Sequence, residues 1–228
     1  MGVTTYIYII MMTIFMLSIP SSYIRALISI SSLFLILYIR GEDPKIGYRA
    51  IPVSSAIAFV MTLPFLLVSE VRYSGADLKL GEIIPWHLSI ALWEESVYRG
   101  HILRYSTPQF IFSSVIFSLI HSQNPGFGLM PFIGLLSAGI FLCSLRVHLG
   151  LSSAIAFHFC WNIFLEHLWG FPTSGIIGSS LFSSELKGSP IITGGPFGPE
   201  GSLIALIEFS LGSAALYMLK RASNSRPS

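Results

Sequence analysis

Residues 91–103, ALWEESVYRGHIL, set two adjacent carboxylates, Glu94 and Glu95, and an arginine, Arg99, in a stretch that otherwise reads as a membrane-buried helix. A charged side chain at the centre of a spanning helix costs about 3 kcal/mol on insertion scales, so three unpaired charges would cost several times that. Partners are therefore required. Glu95 and Arg99 are one helical turn apart, on one face and in the favoured order, so an intrahelical ion pair is the expected arrangement. Glu94 is displaced from Glu95 by about 100° around the helix and must find its partners on other elements.

The rest of the chain fits this reading. Hydrophobic residues make up 53% of 228 positions and charged residues 11%, and the mean hydropathy is +0.72, which excludes an ordinary soluble domain. The apolar residues fall in blocks near the ~20 residues needed to cross a hydrocarbon core of about 30 Å. Eight spans are predicted, 3–19, 22–40, 50–69, 84–104, 109–122, 127–147, 150–169 and 201–220, of which the fifth is short for a full crossing. The expected fold class is all-α, a polytopic membrane helical bundle of about eight transmembrane helices. The first block follows Met1-Gly2-Val3 without a basic leader and is read as a retained helix rather than a cleaved signal.

A formal charge of +2 gives no reason to expect nucleic acid, and the basic residues serve better as topology markers. With both termini cytoplasmic, that face collects Arg40, Lys45, Arg49, Arg104, Arg146, Lys220, Arg221 and Arg226, while Arg72, Lys79, Lys187 and Arg25 fall to the other. Cys143 and Cys160 lie in apolar blocks at a spacing that matches no zinc or redox pattern, so both are expected as buried, inert thiols.

No repeat, heptad run or charged tail divides the chain, which reads as one integrated membrane domain. Two linkers interrupt it. Glu70 to Gly81 is polar and is expected as an exposed loop. Gly170 to Gly201 is longer than bundle connections usually are and rich in Gly, Ser and Pro, which suggests a functional or re-entrant segment. Its end, ITGGPFGPEGSL at 192–203, lacks the Lys-Ser/Thr that a phosphate loop requires. Glu200 and Ser202 are instead expected at the N-terminus of the last helix, as a dipole-matched acid and a cap.

Two further blocks carry polar side chains where apolar ones are expected. His121 ends FSSVIFSLIH (112–121), with Phe117 one turn before it; His158 sits in AIAFHFCWN (154–162), with Asn162 one turn after it. A lone buried histidine is more often a hydrogen-bonded core residue, and a buried Glu/Arg cluster can simply fix helix register. Transporters use such groups as readily as enzymes do. Three helices presenting Glu, His and His-plus-Asn at similar depth nevertheless point to chemistry. His87, His101, His148 and His167, the last beside Glu166, are read as interfacial, and the four tryptophans fit a membrane belt or core packing equally.

Taken in order, Glu94-Glu95-Ser-Val-Tyr-Arg99, Phe117-Ser-Leu-Ile-His121 and His158-Phe-Cys-Trp-Asn162 resemble the motifs of the CAAX-protease and bacteriocin-processing family, the Rce1-like and Abi-type intramembrane proteases. The segment around Arg146 and Gly150 looks like that family's helix-turn-helix, and GFPTSG with TGGPFGPEGS is similar to the tail of many bacterial members. Residues 1–80 carry no such motif, which leaves 81–228 as the family-like catalytic core.

The resemblance implies that Glu94 is the catalytic carboxylate, that His121 helps it polarise a water, that His158 and Asn162 stabilise the oxyanion, and that Glu95 and Arg99 support them. It implies an intramembrane endopeptidase in a bacterial or archaeal cell membrane, acting without cofactor on CAAX-type or bacteriocin-leader-like substrates, with lipids and a peptide or protein substrate as partners. A zinc site built from Glu94, His121 and His158 is the alternative, since such a set could also hydrolyse peptides although the HExxH helix motif is absent. A non-enzymatic immunity or transport protein is the rival from another class.

Overall fold

A computed structural model describes Ile19 and residues 21–40, 48–102 and 107–225. The first predicted span lies outside these residues except for Ile19, as do Lys45, Arg104 and Arg226. In chain order the helices are α1 Ser22–Arg40, α2 Ile51–Thr62, α3 Leu80–Glu95, α4 Thr107–Leu119, α5 Leu129–Leu149, α6 Leu151–Asn162, the single turn α7 Pro190–Thr193, and α8 Leu203–Asn224. A 3₁₀ stretch, Leu63–Val68, lengthens α2, and π-helical stretches, Ser96–Ile102 and Ile163–Trp169, lengthen α3 and α6.

The architecture is the expected all-α bundle. Among the described residues three helices are long and apolar enough to cross a membrane on their own: Ile51–Val68, Leu129–Leu149 and Leu203–Ala222. α1 and α4 hold shorter apolar stretches, Tyr23–Leu33 and Pro108–Leu119. α3 and α6 carry the acids and histidines, which interrupt their hydropathy. Both are packed inside the bundle: α3 lies against α1 and α6, α6 against α2 and α5, and α5 against α4 and α8.

Small side chains permit these approaches. A Cβ at Gly139 of α5 would stand 2.7 Å from the Cβ of Ser114 on α4, so only glycine lets these two helices meet there. Gly150, with φ of +99°, makes the sharp turn from α5 to α6, and its amide donates to the Arg146 carbonyl at 3.1 Å. This is the helix-turn-helix read from the sequence. Across it an aromatic stack closes the core, with Phe141 4.9 Å from Phe157, Phe157 5.7 Å from Trp161, and Trp161 5.2 Å from Phe209 of α8 (ring centroids). Leu211, Tyr217, Met218 and Leu219 on α8 and Val53 and Val60 on α2 are exposed, as lipid-facing positions would be. Cys143 and Cys160 are free thiols, Cys143 buried.

One linker expectation is corrected. The linker from Glu70 is not wholly loop: Ser69–Tyr73 forms strand β1, which pairs antiparallel with β2, Phe182–Leu186, in a register running from Ser69 opposite Leu186 to Tyr73 opposite Phe182. That register puts Glu70 opposite Glu185, an unfavourable facing pair that Lys187 offsets by reaching Glu185 at 2.8 Å and Glu70 at 3.8 Å. Neither strand has a local partner, so the pairing leaves no short-range signal. Arg25, expected on the membrane side opposite the termini, is buried within α1, its guanidinium 3.5 Å from the ring of Trp86 on α3. Tyr23 and Ser29 hold the same contact, donating to the carbonyls of Gly81 (2.6 Å) and Ser89 (3.0 Å).

The segment 170–201 folds back over the bundle. Ser202 caps α8 as expected, accepting from the Ala205 amide at 3.0 Å. Glu200 turns inward instead: one carboxylate oxygen accepts from Trp161 Nε1 at 3.1 Å, the other from the amide and hydroxyl of Ser174 at 2.6 Å each. Gly139→Leu should therefore force α4 and α5 apart and lower stability by about 1–3 kcal/mol, the usual cost of overpacking. Thermal unfolding in detergent reads this directly, and an unchanged midpoint would contradict the close approach at Ser114.

Candidate active site

The end of α3 presents Glu94 and Glu95 to different surroundings. Glu95 is fully buried, and its Oε1 accepts from Arg99 Nη1 at 2.9 Å, the pair expected from their spacing. The same oxygen accepts from His158 Nδ1 at 2.9 Å. Arg99 is fully buried too; its Nη2 donates to the Gly139 carbonyl at 3.3 Å, and its guanidinium lies 4.3 Å from the centre of the Phe117 ring. A carboxylate, an imidazole, a backbone carbonyl and an aromatic face thus surround one buried arginine. The helix becomes π-helical at Ser96, a departure that often accompanies functional sites.

Glu94 faces the other way, onto a cavity of about 200 Å³, enough for several waters at roughly 30 Å³ each. His121, His158 and Asn162 line the same cavity. The buried Oε2 of Glu94 has no hydrogen-bond partner among the described residues, and His158 Nε2 stands 4.0 Å from it. Because Nδ1 of His158 donates to Glu95, the ring is oriented with Nε2 toward Glu94. His121 is oriented by its own helix, its Nδ1 donating to the Phe117 carbonyl at 2.8 Å. A carbonyl can only accept, so in the neutral ring Nε2 keeps a free lone pair.

Phe117 explains the spacing of the second motif. Its ring meets His121 edge-on at 5.2 Å, meets His158 edge-on at 6.1 Å and covers Arg99. One side chain therefore wedges all three polar groups apart.

The structure thus brings Glu94, His121, His158 and Asn162 to one cavity and sets Glu95 and Arg99 behind it. Of the alternative zinc set, Glu94, His121 and His158, Nε2 of His158 stands 4.0 Å from Oε2 of Glu94, and all three line the cavity. Among the described residues a second candidate group is His87, Glu166 and His167, whose ligand atoms lie within 4.8 Å of one another. His87 and His167, expected from the sequence at the membrane interface, are both buried, and His87 and Glu166 share the cavity with Glu94. Each sits beside a tryptophan or at a block end in the sequence, which disguises it. A helical signal was present: His87 precedes Glu94 by two turns, and Glu166 follows Asn162 by one, so both extend the polar stripes already identified. His148 is half-buried at the end of α5, and the side chain of His101 lies outside the described residues.

The segment 170–201 contributes Thr173, Ser174, Ile176 and Glu200 to the cavity wall. Asn124, just beyond α4, donates to the Ser174 carbonyl at 2.9 Å and ties this wall to the His121 corner.

No curated protein and no solved structure matches the chain. Residues 77–164 match the model of the family described as type II CAAX prenyl endopeptidase Rce1-like, a membrane-embedded protease family. All three motifs, and with them Glu94, His121, His158 and Asn162, fall inside that match, so the segment 77–164 is similar to the Rce1-like family of CAAX proteases.

Proposed function

We propose that this protein is an intramembrane endopeptidase that hydrolyses peptide bonds of membrane-associated peptides or proteins. The observation that carries the reading is the division of labour between adjacent carboxylates: Glu95 is consumed by Arg99 and His158, whereas Glu94, whose buried Oε2 has no hydrogen-bond partner among the described residues, lines a cavity shared with His121, His158 and Asn162.

In this reading a water in the cavity is held between Glu94 and the free Nε2 of His121. Glu94 takes one proton as the water oxygen adds to the scissile carbonyl carbon. The charge that develops on the carbonyl oxygen is met by Nε2–H of the doubly protonated His158 ring, whose Nδ1–H stays on Glu95, and by the Asn162 amide. When the C–N bond breaks, Glu94 returns the proton to the leaving amine. The step routes no electrons through a cofactor and requires no metal on Glu94. Zinc held by Glu94, His121 and His158 is the rival mechanism, and activity that survives exhaustive chelation would favour the metal-free one.

The membrane setting follows the same charges. Arg49, Arg146, Lys220 and Arg221 lie at helix ends on the face proposed as cytoplasmic, and Arg72, Lys79 and Lys187 sit on or beside the β1–β2 pair on the other. We propose a multi-pass protein of about eight crossings with both termini cytoplasmic, in a bacterial or archaeal cell membrane. Its partners would be lipids and a peptide or protein substrate, CAAX-type or bacteriocin-leader-like, and not nucleic acid.

Glu94→Gln and His121→Ala should each lower kcat by about 10²–10⁴-fold on a membrane peptide assayed in detergent. Normal turnover by both variants would refute the peptidase reading. The neighbouring pair should respond differently: Arg99→Leu leaves Glu95 buried with its main countercharge gone and should cost about 3–5 kcal/mol of stability. Glu94→Gln should leave the thermal midpoint nearly unchanged. If the two substitutions destabilised the fold equally, the assignment of separate roles to Glu94 and Glu95 would fail.

A further inference from the structure

We propose that His87, Glu166 and His167, two of which also line the Glu94 cavity, form a binding site for one divalent transition-metal ion, zinc in the first instance, with ligands other than Glu94, His121 and His158. The three side chains come from two helices: His87 from α3, and Glu166 and His167 from the π-helical end of α6. His87 Nε2 is 2.7 Å from His167 Nε2 and 3.5 Å from Glu166 Oε2, and His167 Nε2 is 3.9 Å from Glu166 Oε1. A tetrahedral ion with bonds of 2.0–2.1 Å needs its ligand atoms about 3.3 Å apart. The His87–His167 and His87–Glu166 Oε2 spacings, 2.7 and 3.5 Å, fall on either side of that value, and with one ligand atom from each residue all three lie within 4.8 Å of one another. Two histidines and one glutamate are an established zinc donor set, with water in the fourth position.

Three independent features support the assignment. His167 is already oriented as a ligand, because its Nδ1 donates to the Ser179 carbonyl at 2.7 Å, so the neutral ring directs the Nε2 lone pair into the cluster. The imidazole of His87 is nine-tenths buried, and its Nδ1 has no hydrogen-bond partner among the described residues. The ring can therefore hold its proton on Nδ1 and offer Nε2 to an ion. Finally, Gly178 lies against the group so closely that a Cβ there would stand 2.5 Å from Glu166 Oε1 and 2.8 Å from His167 Cε1. A second cavity of about 510 Å³, lined by all three residues together with Glu82 and Ser179, gives the ion and its water a way in.

The site is built from residues outside the catalytic set and does not rest on the peptidase reading. A bound ion would staple α3 to the end of α6 and to the turn at 178–179, one wall of the Glu94 cavity.

The test is zinc titration of the full-length, detergent-solubilised protein with any affinity tag removed. Binding is measured calorimetrically and by cobalt(II) absorption, and thermal unfolding is recorded alongside. The wild type should bind one zinc, show the visible absorption of four-coordinate cobalt(II), and unfold at a higher temperature with zinc present. His87→Ala and His167→Gln should weaken binding more than about 100-fold, beyond the 10–100-fold cost of losing an outer orienting partner, and should abolish the thermal shift. Glu94→Gln should retain both. Absence of stoichiometric zinc and of the cobalt spectrum in the wild type would overturn the proposal even if a histidine variant failed to fold. Zinc lost in Glu94→Gln but kept in His87→Ala would also overturn it, by placing the ion on Glu94 and its neighbours rather than on His87.

Discussion

A single carboxylate oxygen, Glu95 Oε1, accepts from both Arg99 and His158 at 2.9 Å in the fully buried centre of the bundle. Bringing an arginine and a glutamate out of water costs several kcal/mol per ion, which their attraction offsets only with good geometry and further hydrogen bonds. Here those bonds come from α3 itself, from α5 through the Gly139 carbonyl, and from α6 through His158. The electrostatic demand of one ion pair therefore fixes how three helices sit against one another. Gly139 serves this centre twice, by letting α4 approach and by presenting its carbonyl to Arg99.

With Glu95 occupied, its neighbour is free. The 100° step between adjacent helical residues turns Glu94 away from the pair and toward open space, and the histidine that completes the pair on one edge directs its other nitrogen at Glu94. His158 thus belongs to both the support and the cavity. The same economy is visible in Phe117, which covers Arg99, separates His121 from His158 and supplies the carbonyl that orients His121.

The segment 170–201 completes the cavity from outside the helices. Its anchor is Glu200, which holds Trp161 of the aromatic core with one oxygen and the Ser174 turn with the other. An acid placed to suit a helix N-terminus instead ties the wall of the cavity to the core, while Ser202 does the capping. β2 fastens the same segment to β1, and the 178–179 turn closes over His167, so the cavity wall is fixed at several separated points.

The sequence by itself determined what depends on neighbours within one or two helical turns. The all-α class, the Glu95–Arg99 pair, the α5–α6 turn at Gly150 and the cap at Ser202 all follow from short spacings whose geometry a helix dictates. The motifs also picked out Glu94, His121, His158 and Asn162, which the fold gathers on one cavity. Tertiary structure alone decided what depends on partners distant in the chain. It gave His158 to Glu95 rather than Glu94, turned Glu200 inward, paired β1 with a strand more than a hundred residues away, buried Arg25 on Trp86, and joined His87 to Glu166 and His167. A buried polar group takes whichever complementary atom packing brings within reach. Local spacing states that it needs a partner; only the packed bundle determines which one it meets.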